Sequence, residues 1–303
     1  VTRTVVVTGA GGFVGSHMAE GFLAMGDTVI ATDKSFDAPT RLRLAGAEII
    51  EAPLTSDILA GGQKVDLVIH GAAITTPPQD SGLSASDHIQ ANVALMLTGL
   101  GLAMSHGAAD FVFLSSSGVF SVDDGDGVHL ESTAPTANIP YAEAKRVGEE
   151  ATRLANSGSL RATSVRLGPV YGPHEITRST RIIVSQVRRW LDLLASDQPI
   201  IVHMPDERRD WTFAPDLPRA LNALLDGREV PGVVHLNSGE AVSNLKLAEL
   251  VAGLVSGGKV SVEPRADAPR LPMNSELIDL PSLYAWTPLR DGLAQTFAAE
   301  AAR

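Results

Sequence analysis

Tyr141 and Lys145 stand four residues apart in the stretch PYAEAK, a spacing that puts both on one face of a helix. A phenol ordinarily titrates near 10, so a tyrosine acting as a base at neutral pH needs a shift of roughly 3 units, about 4 kcal/mol. A nearby ammonium supplies part of that by favouring the phenolate. Far upstream, the turn TGAGGFVG places glycines at Gly9, Gly12 and Gly15. In such a turn the backbone can approach a pyrophosphate closely, and the helix that follows turns its N-terminus toward the negative charge. Asp33 ends the next apolar run, 18 residues after Gly15. A carboxylate there can accept hydrogen bonds from the ribose hydroxyls of NAD and would repel a 2′-phosphate. Lys34, Arg41 and Arg43 follow closely and keep NADP in view as the lesser option. A proton acceptor downstream of a dinucleotide turn points to hydride transfer.

These residues need elements to hold them. Residues 4–7 form a run of β-formers ending at Thr8-Gly9, and residues 13–25 have helical periodicity. Residues 28–32, 48–50, 67–69 and 111–114 are further short apolar runs separated by segments long enough for helices. That alternation predicts an α/β fold of the Rossmann type, a doubly wound parallel sheet covered on both faces. From about Val170 prolines cluster, and loops carry Arg178, Arg181, Arg208 and Arg209. The expected organisation is a dinucleotide-binding domain over 1–167 and a smaller, mainly substrate-binding lobe over 168–303, with some segments returning to the first domain.

The 303 residues are 44% hydrophobic with a net charge of −11, which argues against a nucleic-acid partner. The absence of cysteine removes disulfides, a thiolate nucleophile and Cys-based metal sites, and no metal site is expected. The start, VTRTVVVTG, shows no leader pattern, and residues 91–104 fall short of the ~20 apolar residues a membrane span needs. A cytoplasmic protein without membrane contact is expected. The acidic run DDGDG at 123–127 lacks the further ligands of a calcium loop and reads as solvated.

At this level of detail the chain resembles the extended short-chain dehydrogenases/reductases, the NAD-dependent epimerase/dehydratase family. TGAGGFVG is similar to the family's TGxxGxxG turn, which implies cofactor contacts from Gly9, Gly12, Phe13, Val14 and Gly15, with Asp33 on the ribose and Leu54 near the adenine. His70-Gly71-Ala72-Ala73 resembles the HxAA segment under the nicotinamide half, implicating Gly71, Ala72 and Ala73. Asn92 matches a helix asparagine that supports the active-site helix through its backbone. FVFLSSSGVF resembles the strand bearing the catalytic hydroxyl, here Ser116, with Ser117 as the choice if the register slips by one. RLGPVYGP and RRDWTFAPDLPRAL resemble two later motifs, and Arg209 falls where relatives hold a substrate phosphate. Trp286-Thr287-Pro288 with Gly292-Leu293 resembles the closing signature. The resemblance implies Tyr141 as general base, Lys145 lowering its pKa and holding the nicotinamide ribose, and Ser116 orienting the substrate oxygen.

Departures narrow the reaction. Ser117 and Gly118 replace the Asp-Glu pair of 4,6-dehydratases, and Gly118 replaces the cysteine of GDP-fucose-synthase-like enzymes. His174 keeps the histidine position after YGP and is a candidate substrate contact. Pro169 stands where an asparagine contacts the nucleotide-sugar diphosphate, and Pro53-Leu54-Thr55 replaces an acid near the adenine. Three readings stay open: a dehydrogenase of a free sugar, sugar acid or related polyhydroxy compound; a nucleotide-sugar epimerase without net NADH; and a non-catalytic NAD-binding module. The resemblance further implies a homodimer through helices near 86–106 and 141–155, with Leu95, Leu97, Leu100 and Leu102 as apolar surface.

Overall fold

A computed structural model describes residues 2–226 and 232–301. Seven strands form one parallel sheet: β1 Thr4–Thr8, β2 Thr28–Asp33, β3 Glu48–Glu51, β4 Leu67–His70, β5 Asp110–Ser116, β6 Arg161–Leu167 and β7 Val233–Leu236, in the order β7-β6-β5-β4-β1-β2-β3. The strand order reverses between β1 and β4, so the crevice at their C-terminal ends is where ligands bind in such sheets. The longer helices are α1 Phe13–Ala24, α2 Ala85–Ser105, α3 Pro140–Ala155, α4 Gln186–Ala195, α5 Leu217–Leu225, α6 Asn244–Ala252 and α7 Leu289–Ala301.

Burial on both faces explains why the strands read as continuous apolar runs. Along β1, Val5 and Val7 pack with Met18 and Phe22 of α1 and Leu217, Leu221 and Leu224 of α5 on one face. Val6 points the other way, toward Met96 and Leu100 of α2 and Phe111 and Phe113 of β5. Burying each such side chain contributes about 1.5–3 kcal/mol. α2 starts where Ser84 Oγ accepts from Asp87 N at 3.1 Å, and α1 is followed by Gly26 at φ +90°.

The second lobe has its own core, Tyr171, Trp190, Leu194, Ile200, Trp211, Phe213, Leu247 and Val251, built from α4, α6 and short strand pairs. The chain after Leu167 serves both bodies, since α5 packs on the sheet and β7 extends it. Of the four leucines expected as dimer surface, Leu100 and Leu102 are buried in the core and Leu95 lines the central cleft, leaving Leu97 half exposed. The acidic run is also more than a solvated loop. Asp124 is buried and accepts from Ser121 N at 2.7 Å and Thr136 N at 2.8 Å, which pins the segment and holds its carboxyl below the usual range despite the burial. Among the described residues no helix is long and apolar enough to cross a membrane, and no His/Asp/Glu cluster could hold a metal ion.

Candidate active site

The crevice at the β1/β4 reversal is a cleft of about 650 Å³. It is lined by Gly9, Gly12, Phe13, Val14, Gly15, Asp33, Leu54, Gly71, Ala72, Ala73, Ser116, Tyr141 and Lys145, so most of the residues singled out from the sequence meet in one place. Two glycines are required by geometry. Gly9 has φ +73°, and a Cβ there would sit 2.6 Å from Ala72 N; a Cβ on Gly15 would sit 2.1 Å from Gly9 O. α1 begins after Gly12 with no side-chain cap, so its first amides are left for a ligand. This bare, close-packed turn fits a dinucleotide pyrophosphate. Asp33 Oδ2 is held by Gly11 N at 3.0 Å at the far end of the same cleft. Lys34 lines the cleft, while Arg41 pairs with Glu51 and Arg43 with Glu20 at 2.7 Å, so neither arginine is aimed at a 2′-phosphate.

α3 lies close against β5 because Gly148 leaves room: a Cβ there would meet the Phe113 ring at 2.6 Å. Its inward stripe is polar, with Lys145, Glu149 and Thr152 buried. Lys145 Nζ donates to Leu114 O at 2.6 Å and lies 4.6 Å from the Phe113 ring centre and 5.5 Å from that of Tyr141. Burial pushes its pKa down to about 8, against the opposing pull of Glu149. Burial pushes the Tyr141 phenol up to about 12, opposed by the Ser116 hydroxyl and the Arg181 charge. The expected role of Lys145 is thereby corrected in part. Its ammonium turns back to a β5 carbonyl, and Arg181 is the cation that favours the phenolate here. One turn along α3, Glu149 accepts from Ser115 Oγ at 2.6 Å and forms a buried pair with Arg166 at 2.7 Å.

Four expectations are met differently. Ser116 lines the cleft, with its Oγ accepting from Gly118 N at 3.0 Å, whereas Ser117 begins the 3-10 turn Ser117–Val119 and stays outside the lining. The hydrogen bonds of the Asn92 side chain go to the loop after β4 and to its own helix. Its Oδ1 accepts from Ile74 N at 2.8 Å and its Nδ2 donates to Ile74 O at 3.2 Å, clamping the loop after β4 because α2 passes beneath that loop. His174, at φ +65° after the Gly172-Pro173 turn, swings toward α1, its ring 6.2 Å from that of His17 and outside the cleft lining. Arg209 also lies outside that lining, in the second lobe, 3.6 Å from Glu207, and its buried Nε has no hydrogen-bond partner.

Arg178, Thr180 and Arg181 complete the lining from the loop after Tyr171. Their arginines were visible in the sequence as loop cations, but no spacing rule assigned them to the cofactor cleft. Arg178 reaches Asp33 at 3.2 Å across a separation of 145 residues. Arg181 lies 5.3 Å from the Phe13 ring centre and pairs with Glu175, leaving its buried Nη1 without a partner.

A glycine-cradled cleft at the strand-order reversal, with Tyr141, Lys145 and Ser116 in its lining, defines a dinucleotide-binding protein of the Rossmann class. Residues 5–238 match the NAD dependent epimerase/dehydratase family, and the chain belongs to it, with NAD as cofactor. It is 27% identical over 308 residues to UDP-glucuronic acid decarboxylase 4 of Arabidopsis thaliana, spanning 95% of this chain and 66%, just under two thirds, of that protein. It is 26% identical over 284 residues to a dTDP-glucose 4,6-dehydratase of Streptomyces niveus, spanning 88% of this chain and 81% of that protein. In fold it is similar to the Bordetella bronchiseptica enzyme WbmH, solved in complex with NAD+, with a TM-score of 0.82 at 22% identity, covering 100% of this chain and 99% of that one.

Proposed function

We propose that the chain oxidises a hydroxyl-bearing carbon of a nucleotide-activated sugar transiently and restores it with changed stereochemistry, so that no net NADH appears. The observation that carries the reading is the placement of Ser116, Tyr141 and Lys145 at one end of the cleft whose other end is the glycine turn and Asp33. Tyr141 takes the proton of the substrate hydroxyl and later returns it. Ser116 hydrogen-bonds the same oxygen and orients it. The Arg181 charge opposes, without overcoming, the burial that raises the phenol's pKa, and Lys145 Nζ lies 5.5 Å from the Tyr141 ring centre. NAD, when bound, supplies the hydride acceptor and donor.

Nucleotide-sugar substrates are favoured by the relatives' named activities. A net dehydrogenase acting on free sugars or sugar acids is the second reading, motivated by Pro169, which offers no donor where relatives carry an asparagine. Exposed Leu97, Met104, Val147 and Leu154 on α2 and α3 make a homodimer through these helices part of the proposal. Incubation with a panel of nucleotide sugars, followed by NMR, tests the reaction. Epimerised product without absorbance at 340 nm is expected, and stoichiometric NADH from free sugars would replace this reading with the second.

A further inference from the structure

The hairpin of residues 175–182 crosses the mouth of the cofactor cleft and is tied down on both banks. At the β2 end, Arg178 Nη2 donates to Asp33 Oδ1 at 3.2 Å, Ser35 O at 2.7 Å and Ser35 Oγ at 2.7 Å. At the β4 end, Thr180 O accepts from Thr75 N at 2.9 Å, Thr76 N at 3.0 Å and Thr75 Oγ1 at 3.1 Å. Thr76 Oγ1 donates to Ser179 O at 3.0 Å and accepts from Ile182 N at 3.3 Å. The hairpin is internally closed by Arg178 N to Arg181 O at 2.9 Å and Arg181 N to Arg178 O at 2.8 Å. Its base is fixed by Glu175, almost fully buried, which accepts from Ser185 N at 2.8 Å and Ser185 Oγ at 2.5 Å. Arg178 Nη1 also lies against the glycine turn, within 2.9 Å of where a Cβ on Gly11 would stand.

We propose that this hairpin is a strap that retains the dinucleotide, and that Arg178 is its latch, a cofactor-holding residue supplied by the second lobe at the ribose-binding carboxylate. The strap bonds β2 to the loop after β4, the two sides of the crevice in which a dinucleotide lies. A cofactor beneath it cannot leave without breaking either the Arg178 contacts or the Thr75 and Thr76 contacts. Asp33, paired with Arg178, becomes half of the latch as well as a ribose acceptor. A retained cofactor suits a reaction that ends with the cofactor in its starting state. The strap therefore deepens the proposed function and rests on its placement of NAD in this cleft.

The test is a chase. Protein loaded with radiolabelled NAD+ is mixed with excess unlabelled NAD+, and release is followed for the wild type, Arg178→Ala and Thr76→Val, each first checked by thermal melting. Thr76→Val removes two of the five far-bank hydrogen bonds, those of the Thr76 hydroxyl, by a near-isosteric change that does not touch the ribose end. Release at least about tenfold faster in both variants is expected, the scale of one lost charge-assisted or multiple hydrogen bond. A wild-type rate in Thr76→Val, with or without an effect of Arg178→Ala, overturns the strap. The 340 nm signal of the same preparations with sugar substrates reads the hydride-return reading separately. Net NADH from a protein that releases cofactor slowly would refute that reading and leave the strap standing.

Discussion

Replacing Glu149 by glutamine strands a buried guanidinium. The side chains of Arg166 and Glu149 are only 5% and 7% exposed. Glu149 Oε2 accepts from Arg166 Nη2 at 2.7 Å, and Oε1 accepts from Arg166 Nε at 2.8 Å and from Ser115 Oγ at 2.6 Å. In Glu149→Gln one oxygen remains, but an NH2 then faces donors, and the charge on Arg166 loses its partner. The other neighbours of Arg166 are the Phe120 ring at 5.0 Å and His235 Nε2 at 3.4 Å, neither of which is an anion. Breaking a buried pair from one side typically costs about 3–5 kcal/mol, a large part of the ~5–15 kcal/mol that holds a domain together. Urea unfolding should show a much lower midpoint with an unchanged slope. The double variant Glu149→Met with Arg166→Met should cost much less than the two single changes summed, because both charges leave together. The same single change removes the carboxylate that holds the Lys145 pKa up against burial. A pH–rate limb belonging to Lys145 should therefore move to lower pH. A midpoint loss worth less than about 1 kcal/mol, the size of one ordinary hydrogen bond, would refute the argument that these groups are charged and shielded from water.

Tyr141→Phe should lower turnover by about 10²-fold or more while NAD affinity by calorimetry is kept; unimpaired turnover would remove Tyr141 from the chemistry. Gly15→Ala puts a Cβ 2.1 Å from Gly9 O, so NAD binding should be lost or strongly weakened, and a wild-type titration would contradict the cradle. Asp33→Ala should weaken NAD more than NADP, and an equal loss for both would mean that the carboxylate does not read the ribose. Lys145 titrates at about 8 in the folded protein against 10.5 as its ordinary value. Between those values the unfolded chain holds the extra proton, so stability rises with pH across that window, by at most about 3 kcal/mol. Lys145→Met should lack that rise, and parallel stability curves for the two proteins would be the opposing result.

The local chemistry of the chain determined much of this arrangement. An apolar β-branched run ending in Thr8-Gly9, a helix after Gly12 and an acid at the end of the next strand specify the dinucleotide half through short-range geometry alone. Tyr141 and Lys145 share a helix face for the same reason, and Ser116 is the last residue of a strand whose apolar run ends just before it. Tertiary structure decided whatever depends on contacts between distant segments. Nothing in the sequence near Asp33 announces that Arg178, 145 residues away, will reach it, since that meeting depends on how the loop after Tyr171 folds back over the sheet. The same holds for Asn92, which clamps Ile74 because of where α2 passes, and for His174, which a left-handed turn sends toward α1. It holds for Lys145 too: its spacing pointed at Tyr141, but the Leu114 carbonyl sets its direction, and burial, opposed by Glu149, sets its titration. Periodicity and turn chemistry act over a few residues and can be read along the chain. Charge pairing and the covering of a cleft act through space, and only the folded chain brings those partners together.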